Sequence, residues 1–304
     1  MYIKRFSSDL SDAKILRFFA QLKFNKRPYC IYCKSYQIYQ TKGRYRYRCR
    51  KCWSRFSLTT STQIGKLRIP LRLWYEVLNC FALGLSAHKA YKFLGLKHYE
   101  RVFKAYRIIR EKLVSDSMMR FEELQGIFEI NESFYGGKFK NRRKSDRERL
   151  RRLKVVKRGR GAKYTQQPVF GIYKRNGEVF FMPVPDTKQK QLEKIIKERI
   201  PLRSKVYSDT WKSYVGLVGL GYVHSTIDHG KEEYVCGKIH INGMEGFWGL
   251  SKVNMHIYKG IKKRNWIYYL KEMEFRYNNR ELGHDEFIKK LSQLLLTNEG
   301  IFSV

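Results

Sequence analysis

Residues 168–185 read PVFGIYKRNGEVFFMPVP. Two apolar runs meet at Asn176-Gly177, a dipeptide that accepts the left-handed backbone of a tight hairpin turn, so the stretch predicts two antiparallel strands. Upstream, FEELQGIFEINESFYGG (121–137) contains another strand-like run. Downstream, TKQKQLEKIIKERI (187–200) has helical spacing, KVYSD (205–209) reads as a strand, WKSYVGLVGL (211–220) as a helix and YVHSTID (222–228) as a strand. Helices return from Asn242, with one over RNWIYYLKEMEFRYNNR (264–280). Three strands, two of them hairpin-paired, followed by alternating helix and strand, predict an α/β unit: a mixed sheet with flanking helices. That order suits a ribonuclease-H-like domain, here set at 121–285 with a C-terminal tail helix at 286–304.

The N-terminal third has a different texture. A helical segment (1–27) precedes Cys30-x-x-Cys33 and Cys49-x-x-Cys52, two pairs separated by fifteen residues. Thiolates at this spacing can close a tetrahedral shell around Zn²⁺ and fold a segment (28–60) too short for a core of its own, which predicts a zinc ribbon. Two disulfides are the rival reading. Cys80, in an apolar helical stretch, and Cys236, in a loop, read as unpaired thiols of a reducing compartment. A turn is expected near Lys42-Gly43. From Arg44 to Arg48 basic and aromatic residues alternate, which on a strand sends them to opposite faces. Residues 66–118 predict three helices. Pro70 opens the first, Gly84 ends it and Ser86 caps the second, a pattern that fits a helix-turn-helix or a plain helical linker.

Lys and Arg number 63 against 27 Asp and Glu, a net charge of +36. A polyanionic partner is therefore expected, nucleic acid first. The densest run spans 138–163, with fourteen Lys or Arg against Asp146 and Glu148. This insertion is expected to be self-repelling alone and to neutralise phosphates when bound. The sequence has no run of eighteen apolar residues and no lipidation motif, and its first twenty residues interrupt their apolar run with charge. No membrane association is expected, and a cytoplasmic, nucleoid-associated place in a bacterium is.

HINGMEGFWGLSK (240–252) supplies the chemistry. On a helix Asn242, Glu245, Gly249 and Lys252 share one face, while Phe247 and Trp248 read as core. Asp209 ends an apolar strand, where open α/β sheets bind ligands. FEINES adds Glu129, Asn131 and Glu132. Of these, Glu129 shares a strand face with Asn131, and Glu132 points to the other. Converging carboxylates call for a hard cation such as Mg²⁺ or Mn²⁺. Taken singly, each has a plainer reading as a turn or cap residue. His224 and His240 read as packed or hydrogen-bonded histidines more readily than as ligands.

The motifs INESFYGGK, VFGIYKRNGEVFFMPVPDT, VYSDTWKSY, HINGMEGFWGLSK and EFRYNNR, in this order, resemble those of bacterial insertion-sequence transposases with an ISXO-type DDE catalytic domain, relatives of the Merlin elements. The resemblance spans about 28–280. It implies a zinc ribbon and helix-turn-helix ahead of a ribonuclease-H-like domain. It further implies double-stranded DNA as partner (the element's terminal inverted repeats and the target) and a homodimer or larger synaptic assembly. Carried over by position, Asp209 and Glu245 become ligands of catalytic Mg²⁺ or Mn²⁺, with Asn242 beside them and Lys252 near the scissile phosphate. The family's first Asp falls on Asn131, which keeps an oxygen but loses the charge. Glu129 is the neighbouring carboxylate that can stand in as a magnesium ligand. Two outcomes stay open: an active or rescued transposase, and a decayed copy that only binds DNA.

Overall fold

The computed structural model describes residues 10–25, 27–41, 45–119, 126–137, 139–153, 166–210, 214, 216–227, 240–258 and 260–297. The chain forms two compact units: Met1–Lys112 with Glu281–Val304, and Leu113–Arg280.

In the first unit, α1 (Asp12–Phe24) starts at Ser11, whose hydroxyl accepts from the Lys14 amide, and buries Ile15, Phe19, Ala20 and Phe24. This one apolar stripe fixes the face it packs with. The strands β1 (Ile38–Gln40), β2 (Arg46–Cys49) and β3 (Arg55–Ser57) form an antiparallel ribbon. Tyr47 points inward, stacked on Phe56 and edge-on to Phe24, while Arg46 points outward. The expected alternation therefore holds within β2. Arg44 and the turn at Lys42-Gly43 lie outside the described residues.

Lys23 donates to the carbonyls of Leu58 and Thr60, both at 2.8 Å, tying α1 to the ribbon's exit. Burial lowers its ammonium from the usual 10.5 to about 8. Helices α2 (Leu71–Ala82) and α3 (Ala87–Phe93) follow; Gly84 turns the chain between them at φ 72°, and Ser86 caps α3. The next helix, α4 (Tyr99–Met119), begins in this unit and ends in the other.

The second unit is built on a five-stranded sheet of order β6-β5-β4-β7-β8. Its strands are β4 (Ile127–Tyr135), β5 (Gln167–Lys174), β6 (Val179–Pro183), β7 (Lys205–Asp209) and β8 (Val223–Ile227). The central β5 is antiparallel to both β4 and β6; β7 runs parallel to β4, and β8 parallel to β7. Asn176 takes φ 55° in the β5–β6 turn, as its side chain permits. The basic insertion contributes α5 (Lys144–Arg152), which buries no residue; 154–163 lie outside the described residues.

One face of the sheet, with Phe128, Ile130, Phe170, Phe180 and Val206, packs on Leu192, Ile195 and Ile196 of α6 (Gln189–Arg199). The other, with Tyr135, Val169 and Phe181, packs on α7 (Asn242–Met255) and α8 (Trp266–Asn278). The described part of 211–220 makes turns in place of the expected helix, because Gly216, Gly219 and Gly221, the last at φ 90°, favour bending over helical extension.

The last helix, α9 (His284–Leu296), returns to the first unit and packs on α1 and α2. Its Leu295 carbonyl accepts from the Gln63 amide at 3.0 Å, and His284 pairs with Asn79 at 3.0 Å. Among the described residues no helix is long and apolar enough to cross a membrane.

Candidate active site and metal centre

The four cysteines 30, 33, 49 and 52 bring their Sγ atoms within 4.8 Å of one another. Cys30–Cys52 is 3.6 Å and Cys33–Cys49 3.5 Å, with all four thiols unbridged. A Zn–S bond of about 2.3 Å requires an S–S edge of roughly 3.8 Å in a tetrahedron, so this cage fits zinc, and no disulfide bridges its thiols. Each pair forms a knuckle: the Cys30 amide donates to the Ser35 carbonyl at 2.9 Å, and the Cys49 amide to that of Ser54 at 3.0 Å.

The catalytic candidates sit where β4 and β7 run side by side. Asn131 faces Gly171 across the sheet. A Cβ at Gly171 would come within 2.4 Å of Met244 and 2.6 Å of Trp248, so this is the face on which α7 lies. Along the parallel pair Glu129 stands opposite Tyr207, where the pairing ends, and Asn131 and Asp209 each follow two residues later on that same face of their strands. Helix α7 buries Met244, Phe247, Trp248, Ser251 and Met255 and exposes Asn242, Glu245, Gly249 and Lys252. The polar line noted in the sequence is thus solvent-exposed.

Glu129 is fully buried and committed elsewhere. One oxygen accepts from Arg175 Nε at 2.8 Å, and the other accepts the Met244 amide at 2.9 Å. Helix α7 has no side-chain cap of its own, so this carboxylate caps it from β4, at the end where the helix dipole favours negative charge. Arg175 also donates to the His240 carbonyl at 2.7 Å and lies over the Tyr207 ring. His240 Nδ1 lies 3.5 Å from the Glu129 carboxylate. Gly243 makes the approach possible, since a Cβ there would fall 2.2 Å from Tyr173. Arg175 escaped notice in the sequence because a turn arginine carries no local sign of a partner 46 residues away.

Glu132 points the other way, toward the fully buried Tyr214. Its Oε1 is buried without a hydrogen-bond partner among the described residues. Burial, and secondarily the Asp209 charge, push its carboxyl up to about 7 against the pull of the Tyr214 hydroxyl. Ser208 binds its neighbour's carbonyl at 2.7 Å and His224 Nε2 at 2.9 Å, so His224 is hydrogen-bonded as the plainer reading has it. Among the described residues the cysteines are the one group of three or more His, Cys, Asp or Glu at ligand spacing; Glu129, Asp209 and Glu245 do not gather so closely.

Beyond the end of β4 an open groove of about 1120 Å³ is lined by Tyr135, Lys140, Arg142, Lys252, Lys263 and Trp266, among others. Lys252 Nζ lies 6.0 Å from the centre of the Tyr135 ring, whose hydroxyl bonds to Ser251. Cations and aromatics along a groove of this size suit a phosphate backbone.

A family profile described as the ISXO2-like transposase domain matches residues 123–278. An "uncharacterized protein in transposable element ISH50" of Halobacterium salinarum is 26% identical over 296 residues, covering 91% of this chain and 93% of the relative. An "uncharacterized transposase-like protein" of Haemophilus influenzae is 34% identical over 105 residues, covering 34% of this chain and 85% of that protein. The matched profile spans the whole sheet and both helices on its α7 face, and the chain belongs to the ISXO2-like family of insertion-sequence transposases.

Proposed function

We propose that this transposase binds the ends of its element and cleaves and joins DNA strands by metal-dependent phosphoryl transfer, in a ribonuclease-H-like domain, at the point where β4 and β7 end beneath α7. One observation supports the reading: the parallel register pairs Glu129 with Tyr207, two residues before Asn131 and Asp209, on the sheet face covered by the helix that bears Glu245. Asp209, Glu245 and the amide oxygen of Asn131, with Asn242 nearby, form the oxygen donor set a hard cation takes. Such an ion, Mg²⁺ or Mn²⁺, would activate an attacking water or 3′-hydroxyl and stabilise the leaving oxygen.

The chain's own residues do the rest. Glu129, neutralised by Arg175, serves as the anchor of α7 and leaves the ligand role to Asp209 and Glu245. Lys252 and the groove cations hold the strand being cut. The zinc ribbon and α2–α4, read as a helix-turn-helix, recognise terminal repeats. Pairing two ends calls for a homodimer or larger assembly acting on the bacterial nucleoid.

A second reading, a copy that binds DNA without cutting it, draws on Asn131 and on the wider spacing of the carboxylates. A strand-transfer assay on end-containing DNA with Mn²⁺ separates the two. The enzyme reading expects joined product from wild type and none from Asp209→Ala. Product from Asn131→Asp alone means decay, and cleavage without joining would overturn the transposition chemistry.

A further inference from the structure

The two zinc knuckles superpose in sequence, Cys30-Ile31-Tyr32-Cys33-Lys34-Ser35 on Cys49-Arg50-Lys51-Cys52-Trp53-Ser54. The residue after each second cysteine takes a left-handed backbone, Lys34 at φ 59° and Trp53 at φ 60°. That conformation strains a bulky residue and favours Gly or Asn. Trp53 is also 62% exposed, so its indole is neither required by the turn nor consumed by the core. The Arg48 guanidinium lies over it, 5.1 Å from the ring centre. The same ribbon repeats the arrangement at Tyr36, 55% exposed under Arg27 at 5.3 Å, and exposes Tyr32 at the tip of the other knuckle.

We infer that the zinc ribbon is a stacking platform for unpaired DNA bases, centred on Trp53. An exposed π-face beside cations has little use against phosphates alone, whereas an unpaired base can stack on the ring while Arg48, Arg50 and Lys51 meet its backbone. The charge around the ring selects a polyanion over an apolar protein surface. A strand freed during cleavage would supply the unpaired bases. The site lies on the ribbon, apart from Asp209, so it stands or falls separately from the catalytic reading.

The test measures affinity of the full-length protein for a fluorescent dT16 oligonucleotide and for a duplex of equal length, with zinc content determined in parallel. Trp53→Ala is expected to weaken dT16 binding about tenfold and duplex binding far less, and Trp53→Phe to retain most of it. Trp53→Gly relieves the strained turn, so it keeps the knuckle while removing the ring and is expected to lose dT16 binding equally. The inference is overturned if zinc-replete Trp53→Gly binds dT16 like wild type, or if single-stranded and duplex binding fall together.

Discussion

The ribbon and the candidate active site both join residues far apart in the chain, yet they are organised by opposite means. Four thiols converge within 4.8 Å from two local knuckles, each closed by its own backbone hydrogen bonds. The carboxylates do not gather in this way. Their positions come from strand register and from a helix pinned by a buried ion pair. Two local knuckles set thiols side by side by backbone geometry; carboxylates repel unless a cation joins them, so the scaffold must hold them. On the proposed reading the ribbon should depend on its ion for folding, whereas the five-stranded unit should not.

The largest expected effect follows directly. Stripping zinc, or Cys49→Ser, should unfold the ribbon, a loss on the scale of the roughly 10–16 kcal/mol that structural zinc contributes in small fingers. Hydrogen exchange should then show residues 28–60 exchanging fast while the five-stranded sheet stays protected. Removing Mg²⁺ should leave both units protected.

Next comes the anchor of α7. Glu129→Ala leaves the Arg175 charge half-buried and unpaired and uncaps the helix, which should cost about 3–5 kcal/mol in urea unfolding. If the loss is within 1 kcal/mol, on the order of a surface pair, the helix is not held this way. A smaller effect is expected at Gly171, where Ala must displace the Trp248 ring. A cost of about 1–3 kcal/mol is expected, with α7 loosened in hydrogen exchange.

The smallest effect is electrostatic. Lys271 is buried against Glu274 at 2.5 Å, and burial lowers its ammonium from 10.5 to about 8 despite that partner. Between these values the unfolded chain holds the proton and the folded chain does not, so the stability of this unit should rise from about pH 8 toward pH 10.5. Below pH 8 both states are protonated and this contribution is flat. Lys271→Met should remove the slope.

Legibility in the sequence followed the same division. The zinc cage was readable because C-x-x-C fixes geometry over four residues. The hairpin was readable because Asn176-Gly177 names its own turn, and the two faces of α7 because helical period needs no partner. The mixed sheet followed from the order of runs. The role of Glu129 was not legible: as a sequence it is a strand carboxylate beside Asn131, and only the docking of α7 shows both its oxygens engaged. Nor was the return of α9 to the first unit, since an amphipathic stripe states that a face is buried and not against what.

The central claim is that Asp209, Asn131 and the α7-borne Glu245 surround one cation. Mn²⁺ titration followed by electron paramagnetic resonance tests it without DNA. The account predicts one weak site in wild type, tighter binding in Asn131→Asp and loss of the site in Asp209→Ala. Identical Mn²⁺ binding by all three proteins would contradict it.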